Sequence, residues 1–358
     1  MKMLSRQSYR AVYSMLALSF GLFISSLALP CWAQEDTTVL AFDVFNEPID
    51  STRIYLYLEK MAKAQKEIQA ADAAEVLYQQ FVDAEASSDV SLDSLINNPL
   101  VDADDLYPHM VKSCLYLGRF YDCGKCERSH VALSCGVVID ESGLALTNSH
   151  VLRKRDDIIT EGFMAMDYRG RCFEVEEVLA ADPDSDIALV RLKANGHKFY
   201  AAPIAEALPM PTTEIRMVSH PSGEFFVMTK GEVSRHIRTR NLKSNLTWME
   251  VTADFGGGSS GCGVFNSAGE VVGIASRIKP LTRTPPKVVR NGKVITKPSY
   301  VEMVLRRCVD LPSIKACFES NEPTDAPPEV EPDEPDACLL YTSPSPRDAT
   351  LSRMPSSS

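Results

Sequence analysis

Positive charge is in short supply: Lys and Arg number 37 against 48 Asp and Glu, a net charge of −11. A surface with that balance repels a phosphate backbone, so nucleic acid is excluded as a partner. Histidine is scarcer still. The six are His109, His130, His150, His197, His220 and His236, and none lies beyond residue 236. Any chemistry that needs an imidazole C-terminal to a nucleophile in the last third of the chain is thereby excluded. Glycine and proline are missing from Ser51 to Ala86, which permits a long helix, and apolar residues are nearly missing from Asn321 to Ala337, which forbids a core there.

What is present centres on Gly256-Gly257-Gly258-Ser259-Ser260-Gly261-Cys262-Gly263-Val264-Phe265. Residues this rich in glycine make poor helices and strands and serve where the chain must turn tightly, here to bare a hydroxyl. Serine alone is a weak nucleophile. It needs a base, a group to orient that base, and amide donors for the oxyanion. His150 follows the apolar run Leu144–Thr147 through Asn148 and Ser149, and Asp186 precedes the apolar run Ile187–Val190. Gly257-Gly258-Ser259-Ser260-Gly261 also fits the G-x-S-x-G elbow of α/β-hydrolases. That fold draws its acid and histidine from after the serine, and no histidine follows.

Histidine, aspartate and serine in this order, each in its local context, resemble the chymotrypsin/trypsin-like serine proteases, nearest the bacterial HtrA/Deg-like branch, over residues 131 to about 310. The resemblance implies a mainly β fold of two six-stranded β-barrels with the site at their interface. It implies Ser260 as nucleophile, His150 as general base, Asp186 as the carboxylate that orients it, and the N–H groups of Gly258 and Ser260 as the oxyanion hole. No cofactor is expected, and the substrate is a polypeptide. A catalytically inactive relative that only binds peptides, or a scaffold, is the alternative. Where that family has glycine and proline after its Ser-Gly pair, this chain has Cys262 and Gly263. By the same resemblance Cys135 begins the strand beside the active-site turn, which makes Cys135 and Cys262 disulfide candidates. Counting back six from Ser260 puts Asp254 at the floor of a trypsin-type specificity pocket. Its other role is to cap the loop.

Five segments follow. Residues 1–33 carry Lys2, Arg6 and Arg10 before an apolar run from Ala11 to Leu29 and end Cys31-Trp32-Ala33, the pattern of a signal peptide cleaved after Ala33. A membrane anchor is the competing reading of that run, and cleavage would leave none, making the product secreted or periplasmic. Residues 34–130 read as a helical extension, with Ile54, Leu58, Met61, Ile68, Leu77 and Phe81 on one stripe. The stripe needs a partner: the protease domain, a second helix, or another copy of the chain in a homo-oligomer. Within this extension Cys114, Cys123, Cys126 and His130 have spacing compatible with zinc, or the thiols pair as disulfides. Residues 131–318 form the protease domain, residues 319–337 an acidic, Pro-rich disordered tail, and residues 338–358 resemble translated adapter sequence. With both ends set aside the charge of residues 34–337 is −15.

Strands are expected at 137–139, 144–146, 173–179, 187–192, 214–218, 225–229, 248–252 and 271–275, and a closing helix at 300–308. The acid-free basic run from Lys279 to Lys297 carries a hairpin tip at Asn291-Gly292.

Overall fold

The computed structural model describes residues 43–68, 72–96, 105–241, 244–285, 288–290, 293–295 and 298–318. The signal, tail and adapter-like segments, and the tip at 291–292, lie outside the described residues. Among the described residues no helix is long and apolar enough to cross a membrane.

Two helices come first, α1 (Ser51–Ile68) and α2 (Ala73–Asp83), where periodicity alone predicts one long helix. Their apolar stripe finds its partner in this chain. Ile54, Leu58, Met61 and Ala62 of α1 enter the main core, and Ala74, Leu77 and Tyr78 of α2 lie with Leu115, Leu117, Phe163 and Val178. Each leucine, isoleucine or methionine among them taken fully out of water contributes about 1.5–3 kcal/mol. A short turn, α3 (Asp93–Ile96), and a helix, α4 (Leu106–Ser113), lead into the sheet.

The first barrel uses β1 (Cys114–Asp122), β3 (Cys135–Val138), β4 (Leu144–Thr147), β5 (Ile159–Met166), β6 (Cys172–Asp182) and β7 (Ile187–Leu192), with β2 (His130–Val131) sharing an edge of β1 with β3. Seven antiparallel pairs from Tyr116↔Met166 to Asp122↔Ile159 join β1 to β5 and close the ring. The barrel therefore starts at Cys114, upstream of the boundary at residue 131. The run Cys114–Phe120 is buried throughout, as a strand packed on both faces must be.

The second barrel is closed in the order β10 (Ser244–Val251), β15 (Tyr300–Asp310), β12 (Val271–Arg283), β11 (Gly263–Phe265), β8 (Glu214–Ser219) and β9 (Val227–Asn241). Two six-stranded barrels thus make up a mainly β molecule. Residues 300–308 are strand, not helix, because they run along β12 and, from Arg306 on, pair with β10 on the other side. The closing helix, α6 (Leu311–Ala316), begins just after, capped by Asp310, whose carboxylate accepts the Ser313 N–H. Beyond Ser276 the β12 ladder runs out of the core into solvent, and a separate pair, β13 (Val288–Arg290) and β14 (Lys293–Ile295), follows it.

Candidate active site

Register in the first barrel builds half of the site. β4 pairs with β7 so that Thr147 faces Ala188, which brings the residues after β4 beside those before β7. Asn148 leaves the strand in extended backbone, donates its side-chain N–H to the Asp186 carbonyl at 2.9 Å, and starts the single turn α5 (Ser149–Leu152) that carries His150. Across from it, the turn after β6 is tied by Asp182, which accepts the Asp184 N–H at 2.8 Å and the Ser185 hydroxyl. Asp186 closes that turn at φ 62°, in the left-handed region that costs most side chains energy and that aspartate tolerates better than most.

The Asp186 carboxylate is 2 % exposed and surrounded by donors. His150 Nδ1 lies 2.9 and 3.0 Å from its two oxygens. The His150 backbone N–H and the Ser149 hydroxyl each donate to Oδ1 at 3.1 Å, and the Ser276 hydroxyl donates to Oδ2 at 2.5 Å. Burial pushes this carboxyl up. The His150 hydrogen bond and charge, with Ser276 and the amide, pull harder and leave it below the usual aspartate range. An ionised acceptor on Nδ1 puts the ring proton there and leaves Nε2 as the basic nitrogen. The imidazole is 40 % exposed, and no hydrogen bond among the described residues takes its Nε2.

The second barrel supplies the glycine turn. Ser259 N–H donates to Gly256 carbonyl and Cys262 N–H to Ser259 carbonyl, both at 3.1 Å. Buried Ser259 hydroxyl donates to Ser219 at 3.0 Å and so holds the turn from below. Gly258 and Gly261 sit at φ +96° and +90°, and a Cβ on Gly258 would lie 2.5 Å from the His220 carbonyl. Glycine is required at both. None of the hydrogen bonds among the described residues takes the N–H of Gly258 or of Ser260, and none joins the Ser260 hydroxyl to His150. Catalytic bonds of this kind often close only when substrate is bound.

Two strands carry this turn to the histidine. Cys135 N–H, at the start of β3, donates to the Ser260 carbonyl at 2.7 Å, while Thr147 donates to the Cys135 carbonyl at 2.8 Å. On the other side Gly261 N–H bonds the Ala275 carbonyl at 2.9 Å, and the next residue is Ser276, which holds Asp186. Ser276 was missed from sequence. Its signal was a polar residue ending the apolar run Val271–Ala275. Arg277 was missed too: its Nε is 3.7 Å from Asp186 and its guanidinium lies 4.6 Å from the Trp248 ring.

Three sequence expectations change. Cys135 and Cys262 are both free and buried, as all eight described cysteines are free. Their sulfurs face other partners, Cys135 the Gly258 carbonyl at 3.3 Å and Cys262 the Met217 sulfur at 4.0 Å. Asp254, counted to the specificity pocket or to a loop-capping role, has a side chain 77 % exposed that meets Arg306 at 2.8 Å, and no backbone hydrogen bond to its carboxylate is seen among the described residues. Cys114 is separated from Cys123, Cys126 and His130, since it is the buried first residue of β1 and they belong to the loop at the far end of that strand.

The trypsin-like peptidase domain family matches residues 134–274. A probable periplasmic serine endoprotease DegP-like of Pseudomonas putida strain F1 is 30 % identical over 156 residues, which is 43 % of this chain and 31 % of that one. The corresponding proteins of Ectopseudomonas mendocina strain ymp and Marinomonas sp. strain MWYL1 are 29 % and 28 % identical over 152 and 147 residues, 42 % and 41 % of this chain and 31 % and 30 % of theirs. The chain spans about a third of the length of these relatives. Residues 134–274, which hold the His150–Asp186 pair and the glycine turn, match the trypsin-like peptidase domain family and lie within the stretch similar to the DegP-like periplasmic serine endoproteases.

Proposed function

We propose that this chain is a serine endopeptidase that hydrolyses polypeptides through an acyl-enzyme. Ser260 attacks the scissile carbonyl while His150 Nε2 takes its proton, and the imidazolium returns that proton to the leaving amine. Asp186 fixes the tautomer and stabilises the cation. The amides of Gly258 and Ser260 hold the oxyanion, and water repeats the sequence to release the acyl group. The observation that carries this reading is the clasp of His150 Nδ1 by a buried carboxylate whose remaining lone pairs are already taken by Ser149, Ser276 and an amide. A carboxylate so placed orients the ring and balances its charge.

A fluorophosphonate probe should label the full chain at Ser260, and Ser260→Ala should abolish labelling and lower peptide turnover by roughly 10⁴-fold or more. Turnover that survives the substitution within tenfold would assign the chemistry elsewhere. Export is the second part of the proposal, supported by the N-terminal sequence and by relatives named periplasmic. N-terminal sequencing of the mature protein should begin at Gln34, and a start at Met1 would refute it.

A further inference from the structure

The loop joining β1 to β2 has little to hold it. Gly124 through Arg128 are all exposed, and the loop leaves the barrel at Asp122 and rejoins it at His130 without burying an apolar side chain. It is nevertheless shaped. Asp122 accepts the Gly124 N–H at 2.7 Å, Gly124 turns at φ +66°, and the backbone N–H groups of Lys125 and Cys126 are turned toward the Cys123 sulfur. At the returning end, Tyr121 pairs with His130 across the ladder and their rings stack with centroids 5.4 Å apart.

These constraints put three ligand atoms together. Cys123 Sγ lies 3.5 Å from Cys126 Sγ, Cys126 Sγ lies 3.1 Å from His130 Nε2, and all three fall within 4.8 Å of one another. A tetrahedral ion with bonds of about 2.3 Å to sulfur and about 2.0 Å to nitrogen has edges of about 3.8 and 3.5 Å, so small shifts suffice to seat it. A sulfur–sulfur bond of about 2.0 Å would draw the thiols together and leave His130 without a role.

A second trio, Cys114, Cys135 and His220, is equally compact but fails on proton placement. The Phe226 N–H donates to His220 Nδ1 at 3.1 Å, so the neutral ring keeps its proton on Nε2, the atom that faces Cys114 at 3.8 Å. Cys114 and Cys135 in turn donate to the Val218 and Gly258 carbonyls. A metal there would have to break all three bonds. In the loop, no hydrogen bond among the described residues engages His130 Nδ1, so the ring proton can sit there while Nε2 binds metal.

We infer that Cys123, Cys126 and His130 bind one thiophilic divalent cation of the zinc class, with the fourth position left to water or an outside ligand. The ion replaces the core that the loop lacks and staples it to the barrel edge.

The test uses the full chain, reduced, stripped with chelator under anaerobic conditions, and titrated with Zn²⁺ or Co²⁺. One equivalent should bind, with thiolate-to-cobalt charge-transfer absorption. Cys126→Ser should abolish the absorption, His130→Gln should weaken binding at least tenfold, and Cys114→Ser should leave both unchanged. Cys123 in the metal-loaded chain should resist alkylation, a readout that remains if the serine variant fails to fold. The inference is overturned if the reduced chain binds no metal, if the two loop thiols are recovered as a disulfide from anaerobic cells, or if Cys114→Ser removes the site.

Discussion

At the scale of single residues, Asp186 is the group on which the site turns. Its carboxyl is held below the usual range, so it stabilises the fold above the unfolded aspartate pKa of about 3.9 and loses that contribution as pH falls through its lower folded value. Asp186→Asn should lower kcat by roughly 10⁴-fold through the wrong histidine tautomer, with KM little changed. In urea unfolding, the stability gap between wild type and this variant should be widest near neutral pH and should narrow below about pH 4. A pH-independent gap would mean that the carboxylate's charge contributes nothing. The pairing of His150 with Asp186 was legible in the sequence because each stands at the edge of an apolar run, where a strand must hand its end to a turn. Ser276 and Arg277 were not: apart from the polar step that ends Val271–Ala275, their contacts with Asp186 come from β12 pairing with the serine turn, which is non-local.

At the scale of elements, the stripe on α1 has a definite partner. Leu58 is fully buried in the main core, so Leu58→Ala should cost about 2–5 kcal/mol in denaturant unfolding while the elution volume on size exclusion stays the same. A change in oligomeric state without loss of stability would show instead that the face serves another copy. Most strands were legible from alternation and turn residues, and Ile187–Leu192 matches to the residue. The strand at 300–310 was not, because Val301, Val304, Leu305 and Cys308 recur at three and four residues and mimic a helix, while pairing with β10 and β12 decides otherwise. β1 was hidden differently. Its first residue is a cysteine that spacing alone grouped with the loop thiols, although Cys114–Phe120 is a buried run.

At the scale of the whole molecule, acid is a liability. Burial lowers the pKa of His220, whose Nδ1 takes the Phe226 N–H, and of His109, whose Nε2 lies 2.8 Å from the Gly269 carbonyl. Burial holds both rings toward the neutral form in the folded chain. The unfolded chain binds their protons below about pH 6.5, so stability is lost as pH falls through that value, by up to about 1.4 kcal/mol per pH unit for each ring. Thermal midpoints should drop between about pH 7.5 and 5.5, and His220→Asn, whose amide oxygen can still accept the Phe226 N–H, should flatten that slope. An unchanged slope would remove His220 from the account.

Ring closure by β1 and β5 has a consequence for how this chain could be cut down. The strand that completes the cylinder lies outside the stretch shared with the peptidase family, which begins at residue 134. A fragment trimmed to that homologous stretch would be an unrolled sheet with raw hydrogen-bonding margins at β3 and β5, the sort of surface that recruits neighbouring chains into aggregates. The smallest piece that keeps both cylinders closed therefore has to reach back at least to Cys114 and on to Asp310, and back to Ser51 if the helices are to keep the outer wall of the first cylinder dry.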